Sequence, residues 1–185
     1  MSKPQKPTVA TVWLDGCSGC HMSLLDMDER ILDIFSRSDL VYSPLVDFKD
    51  YPDEVDVCLV EGAVSNQDDL DKVKKVREHT KTIIAFGDCA VTSNVPGMRN
   101  PIGPDAVLER AYHENVTINP LTPTEVVPPL LPMAMPVHTV IDVDVFLPGC
   151  PPSADLIYTM LDDLLSGRVP EVVGSRFGRE GSPHP

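Results

Sequence analysis

The chain alternates short apolar runs with segments whose apolar residues recur at helical spacing. Five such runs are bounded by Gly, Pro or charged residues, and they cover residues 8–14, 39–44, 55–60, 82–86 and 144–147. Continuous apolar runs of this length are typical of strands that a parallel sheet buries on both faces. Helical spacing predicts helices over 23–35, 69–78, 104–115 and 153–165. The alternation predicts an α/β fold with a flavodoxin-like, doubly wound parallel sheet of about five strands.

The length of 185 residues favours a single domain with a sizeable core. We expect residues 1–7 to be a flexible leader, 8–173 to be the flavodoxin-like domain, and 174–185 to be a flexible tail of Gly, Ser, Arg and Pro. The first predicted helix has Ser23 as its N-cap, and Trp13 is expected in the core.

The segment 119–136 holds six of the 19 prolines together with Leu130, Leu131, Met133 and Met135. Its proline content predicts neither a regular helix nor a strand in a ladder. Because so apolar a surface is a liability in water, we expect a partner protein to cover it.

The net charge of −13 and the isoelectric point near 4.6 exclude nucleic acid and anionic membranes as natural partners, since phosphate would repel the chain. No run approaches 18 apolar residues, and no secretory leader is recognisable. The sequence therefore predicts a cytoplasmic protein without a membrane span.

Four of the five cysteines follow predicted strands. Cys17 and Cys20 follow the first, Cys89 follows the fourth, and Cys150 follows the fifth. Since the carboxyl ends of parallel strands meet at one edge of a sheet, these four thiols are expected to converge there. Cys58 lies inside a strand, as a small buried apolar residue would.

Four convergent thiols suit a [4Fe-4S] cluster or a structural Zn²⁺, and the pair Cys17 and Cys20 alone would suit a redox dithiol. Zinc sites usually draw on two close pairs, whereas here one pair is joined by two single cysteines far along the chain. A dithiol would leave Cys89 and Cys150 without a role. The spacing favours the cluster and leaves zinc as an alternative.

Small and rigid residues flank the cysteines. Gly16, Gly19 and Gly149 would let backbone N–H groups approach the sulfurs, and Pro151 would stiffen its loop. The alternative is that these glycines only mark ordinary turns.

Two ionisable residues adjoin the predicted site. Glu61 ends a buried strand and could accept hydrogen bonds or relay protons there, although a solvated loop carboxylate is an equal alternative. His21 follows Cys20 and could donate a hydrogen bond to the cluster or face a partner. A fifth ligand is not needed beside four thiolates.

A flavin is not expected on this chain. Its phosphate would need a loop rich in Gly and hydroxyl groups after the first strand, with free amides at the start of the next helix. The sequence CSGC at 17–20 occupies that position.

The motifs CSGC at 17–20, VEGA at 60–63, GDCA at 87–90 and LPGCPP at 147–152 occur in this order. Together they resemble the small subunit of [NiFe] hydrogenases, most closely the cytoplasmic NAD-reducing type. The resemblance implies that Cys17, Cys20, Cys89 and Cys150 hold one proximal [4Fe-4S] cluster. It also implies that the nickel–iron centre lies in a large-subunit partner, and that iron–sulfur and flavin diaphorase subunits pass electrons to NAD⁺.

Three features distinguish the chain within that resemblance. The longer periplasmic relatives carry a further domain with more clusters, so one cluster is expected here. The related small subunit of NADH dehydrogenase has two adjacent cysteines in its first motif, where this chain has two spacer residues. Glycines that often follow the third motif are replaced by residues 91–93.

Overall fold

The computed structural model describes residues 6–170. Within this range the strands are β1 (Thr8–Trp13), β2 (Asp39–Tyr42), β3 (Val55–Glu61), β4 (Val64–Asn66), β5 (Thr80–Phe86), β6 (Leu130–Met135) and β7 (Val145–Leu147). Five of them form a parallel sheet in the spatial order β2-β1-β3-β5-β7. This is the flavodoxin-like order, with the winding reversed between β1 and β3.

The helices in the described range connect these strands and cover the sheet. They are α1 (Gly19–Leu25), α2 (Arg30–Arg37), α3 (Gln67–Glu78), α4 (Asp88–Thr92), α5 (Asn94–Gly97), α6 (Pro104–Glu109) and α7 (Ala154–Leu165). A π-helical turn, Arg110–Glu114, continues α6, and a 3₁₀ turn spans Val137–Thr139. Ser153 caps α7 by accepting a hydrogen bond from the Leu156 N–H.

Each face of the parallel sheet has its own apolar core. One face packs Ala10, Cys58 and Ile83 against Val73 and Val76 of α3. The other face packs its strand residues against apolar side chains of α1, α2 and α7, namely Leu24, Ile34, Ile157 and Met160. Burial on both faces explains the continuous apolar runs, and it confirms the predicted doubly wound α/β fold.

The segment after the first cysteine pair differs from its prediction. The chain forms two helices there, and α1 begins at Gly19 rather than at the predicted N-cap Ser23. The two helices are separated at Asp28, whose φ of +52° does not occur in a right-handed helix. Ser23 is buried within α1 and donates a 2.5 Å hydrogen bond to the carbonyl oxygen of Pro152. It therefore joins α1 to the loop after β7.

The proline-rich segment also contains a strand that the sequence prediction excluded. β6 pairs antiparallel with β4, and Pro132 is tolerated because a strand with one neighbour needs only half of its N–H groups. Leu131 and Met135 pack against the core of the chain itself, whereas Met133 is exposed. The apolar residues of this segment are thus divided between the core and the surface.

Most of the predicted leader and the whole predicted tail, 174–185, lie outside the described residues. At the described end of the leader, the Pro7 carbonyl accepts a hydrogen bond from the Asp39 N–H at 3.0 Å. Between residues 6 and 170, none of the helices combines the length and apolarity that crossing a membrane requires.

Candidate metal centre

Four cysteines lie at the carboxyl-terminal edge of the parallel sheet. Cys17 is in the loop after β1, Cys20 in the first turn of α1, Cys89 in α4 directly after β5, and Cys150 after β7. Burial raises the pKa of the Cys20 thiol, and the charges of Glu61 and of the other three cysteines raise it further. The segments that carry these cysteines follow β1, β5 and β7, which are parallel strands of the same sheet. The topology brings them together as the sequence predicts.

The four thiols differ in their access to solvent. Cys20 is buried, Cys89 is half-buried, and Cys17 and Cys150 are exposed. Among residues 6–170, no three His, Cys, Asp or Glu side chains are grouped tightly enough to hold one metal ion. Cys58 is separate from the four, because it is fully buried inside β3, where burial raises the pKa of its thiol to about 12.

Gly87 is the glycine whose replacement would disturb the site most, and in the sequence it is marked only as the first residue of the motif GDCA at 87–90. Its φ is +84°, and a Cβ atom at this position would lie 2.2 Å from the Cys20 Sγ. Gly19 is also close to a sulfur, since its Cβ would lie 3.2 Å from the Cys17 Sγ. Only these small residues let the backbone pass beside the thiols.

The other predicted small residues shape the loops. A Cβ on Gly16 would lie 3.2 Å from the Cα of Gly62, so Gly16 serves the packing of two loops. Gly149 has a φ of +141°, and its N–H donates to the Asp88 carboxylate rather than to a sulfur. Pro151 follows Cys150 through a cis peptide bond.

Asp88 fixes the loops after β5 and β7 to each other. Its Oδ1 accepts a hydrogen bond from the Gly149 N–H at 2.7 Å, and its own N–H donates to the Gly149 carbonyl at 2.9 Å. These two hydrogen bonds fix the position of Cys150, which follows Gly149, relative to Cys89, which follows Asp88. In the sequence, Asp88 is marked only by its place in the motif GDCA at 87–90.

Glu61 is buried, with 1% of its surface exposed, which excludes the solvated loop carboxylate. It accepts hydrogen bonds from the backbone N–H groups of Cys20 at 3.3 Å and of His21 at 3.0 Å, and it contacts the His21 ring nitrogen Nδ1. The carboxylate thus accepts hydrogen bonds from free N–H groups in the first turn of α1, where a negative charge is most favourable.

His21 is as deeply buried as Glu61, so it does not face a partner. Its second ring nitrogen, Nε2, lies 3.0 Å from the hydroxyl of Thr11, and that hydroxyl donates to Ser43 at 2.8 Å. Both ring nitrogens are therefore engaged by protein groups. A continuous chain of hydrogen bonds therefore begins beside Cys20. It runs through the side chains of Glu61, His21, Thr11 and Ser43, of which Ser43 and Thr11 are also buried.

The loops after β1 and β3 are joined through backbone hydrogen bonds. Asp15 and Ala63 exchange two of them, at 2.7 and 3.1 Å, next to Gly62 with its φ of +95°. Trp13 is 45% exposed at the rim, and its indole N–H donates to the Gly16 carbonyl. Its predicted place in the core was wrong, because the last residue of β1 projects beyond the helices that cover the sheet.

The sequence of the chain matches a known family. The family described as "NADH ubiquinone oxidoreductase, 20 Kd subunit" matches residues 17–164. The chain belongs to this family. The matched range contains all four cysteines at the sheet edge.

Named relatives within the family are hydrogenase subunits. The chain is 39% identical over 168 residues to the NAD-reducing hydrogenase HoxS subunit delta of Cupriavidus necator, covering 88% of this chain and 80% of that one. It is also 39% identical over 170 residues to a subunit of the F420-non-reducing hydrogenase vhu of Methanococcus voltae, covering 90% of this chain. The chain spans only 59% of that second relative's length.

A solved structure shares both the fold and the sequence. It is a crystal structure of an NAD⁺-reducing [NiFe]-hydrogenase in the H2-reduced state, with a TM-score of 0.87 and 35% identity, covering 90% of this chain and 95% of that one. The resemblance to hydrogenase small subunits that the four motifs predict is confirmed.

Proposed function

We propose that this chain is the electron-transfer subunit of a [NiFe] hydrogenase of the NAD-reducing type. In this proposal Cys17, Cys20, Cys89 and Cys150 hold one [4Fe-4S] cluster. The observation that carries it is the meeting of four thiols from three strand ends at one sheet edge. The hydrogenase relatives support the assignment.

The donor set fits an iron–sulfur cluster better than a zinc ion. In a [4Fe-4S] cluster each iron takes one thiolate, so the four sulfurs are spread around the cluster. Around zinc they would all have to meet at one ion, and zinc sites usually draw on two close pairs of cysteines, whereas Cys89 and Cys150 come singly. When bound, the cluster would accept and release one electron at a time.

The protein residues would position this group and exclude water from one side of it. Gly87 leaves the space beside the buried Cys20, and Asp88 fixes the loop that carries Cys150. We assign Glu61 the role of a positioning residue, since it binds the Cys20 and His21 amides and so sets the start of α1. The same two amides are unavailable to a phosphate, and a flavin is therefore still not expected on this chain.

The partners in this proposal are a large subunit with the nickel–iron centre and diaphorase subunits that pass electrons to NAD⁺. A complex of the NADH dehydrogenase type is the second candidate, because the family takes its description from such an enzyme. Isolation of the natural complex distinguishes the two, since only the hydrogenase assembly contains nickel.

The proline-rich segment remains the proposed partner surface, but on different residues. Leu131 and Met135 are partly buried and pack against the core, whereas Leu121, Val126 and Met133 are exposed. Replacing the three exposed residues by Ser should weaken binding of the large subunit. Unchanged co-purification of the large subunit with a folded triple variant would refute this surface.

Substitution of single cysteines tests the cluster assignment. Each of Cys17, Cys20, Cys89 and Cys150 changed to Ser should lower the iron and sulfide content of anaerobically purified protein. Cys58→Ala is the matched control, since it removes a buried thiol outside the site. Full iron content in any of the four variants, or loss of iron in the control alone, would contradict the assignment.

A further inference from the structure

The connection between α4 and α5 has an unusual backbone. Ser93 has a φ of +65° and Asn94 a φ of +24°, which non-glycine residues rarely adopt, least of all in succession. Two hydrogen bonds hold the turn, from the Ser93 N–H to the Cys89 carbonyl and from the Gly97 N–H to the Ser93 carbonyl. Such conformations persist where surrounding structure enforces them, and they are frequent at functional sites.

The turn directs two N–H donors at two different sulfurs of the proposed site. The Asn94 side-chain Nδ2 lies 3.5 Å from the Cys150 Sγ. The Val95 backbone N–H donates to Cys89, and this opposes the effect of burial, which raises the pKa of that thiol. The Ser93 hydroxyl is buried beside them and has no hydrogen-bond partner within residues 6–170. One short turn thus supplies N–H donors to both Cys89, which follows β5, and Cys150, which follows β7.

We propose that Asn94 tunes the reduction potential of the cluster by donating a hydrogen bond to the Cys150 sulfur. The inference rests on the proposed function. Uptake of one electron adds negative charge to the cluster and its sulfur ligands, and it forms no bond and moves no proton. An N–H donor at sulfur stabilises the state with more negative charge, so Asn94 raises the potential.

The experiment compares midpoint potentials in the anaerobically purified complex, titrated chemically with dithionite and followed by EPR. Asn94→Gly removes the side-chain donor, and glycine accepts the positive φ and keeps the Val95 N–H in place. We expect a shift of the midpoint potential to more negative values. Asn94→Asp should shift it further, because a carboxylate adds negative charge and donates no N–H. Asn115→Ala, an exposed asparagine elsewhere in the chain, should leave the potential unchanged.

Iron and sulfide analysis separates the possible failures. Wild-type protein without iron and sulfide would refute the proposed function itself. A cluster that is present in both Asn94 variants with the potential of the Asn115→Ala control would overturn the role of Asn94 alone. Loss of the cluster from both Asn94 variants would also overturn it, since Asn94 would then hold the cluster rather than tune it.

Discussion

The two ends of the parallel sheet are built in different ways. At the amino-terminal end, Asp56 accepts hydrogen bonds from the Thr8 backbone and hydroxyl and from the Lys81 ammonium group. Directly before β7, Asp144 accepts hydrogen bonds from Arg77 of α3 and from the Ile83 N–H of β5. These are exposed or half-buried contacts in which the charges of the chain neutralise one another.

At the carboxyl-terminal end, the pair of Glu61 and His21 is buried and four thiols lie in the following loops and helix starts. Glu61 and His21 are hidden from solvent, whereas Cys17 and Cys150 are exposed beside them. Parallel strands send every following loop to this end, so residues far apart in sequence meet there. The comparison shows that the amino-terminal end is held by ion pairs near the surface, whereas the carboxyl-terminal end depends on close packing and on buried hydrogen bonds.

The largest loss of stability and of bound iron is expected from Gly87→Ala. The added Cβ would collide with the Cys20 sulfur, and the positive φ adds strain, so we expect a loss of about 5 kcal/mol in stability and of nearly all bound iron. Gly103→Ala is the matched control, since its φ of +88° is similar and no atom lies within 4 Å of the new Cβ. Urea unfolding and iron analysis of both variants measure the difference. Equal iron content in the two would refute the requirement for space beside Cys20.

The next effect is expected from Glu61→Ala, which leaves His21 and two buried amides without their acceptor. Removing one member of a buried pair costs about 3 to 4 kcal/mol. Glu61→Gln should cost less, because the amide oxygen can still accept one N–H. Urea unfolding of the two variants provides the measurement. A loss below about 1 kcal/mol for Glu61→Ala would show that this end of the sheet does not depend on the pair.

The smallest loss of stability is expected from Asp56→Asn, at the amino-terminal end of the sheet. Burial alone would raise the pKa of Asp56, but the hydrogen bonds from Lys81 and Thr8 outweigh it and lower the pKa. An acid whose pKa is lower in the folded state stabilises the fold above its unfolded pKa of about 3.9. That contribution disappears as the pH falls through the folded pKa.

The variant should therefore lose about 1 kcal/mol at neutral pH, discounted for solvent screening. Its difference from the wild-type protein should be smaller at a pH below about 3.9 than at neutral pH. Urea unfolding at the two pH values measures this, and iron content should not change. A difference that grows on acidification would contradict the assigned direction of the pKa.

The sheet and the meeting of the cysteines could be predicted because both follow from the order of apolar runs. A strand buried on both faces has a distinctive composition, and parallel topology then places Cys17, Cys89 and Cys150 at one edge. Neither step requires knowledge of a particular side-chain contact.

Other features depend on contacts that no local pattern encodes. The sequence does not show that Glu61 accepts hydrogen bonds from N–H groups of α1. Nor does it show that Gly87 lies against the Cys20 sulfur. Pro132 argues against a strand only where both edges are paired, and β6 pairs on one edge. The break at Asp28 likewise lies within a segment of continuous helical periodicity.

The most direct test of the central claim is the metal and sulfide content of the anaerobically purified wild-type protein, together with the EPR spectrum of its reduced form. Four thiolates at one sheet edge predict four iron atoms and four sulfide ions per chain, with a paramagnetic signal that appears on reduction by one electron. Stoichiometric zinc without sulfide, and no signal on reduction, would contradict the account.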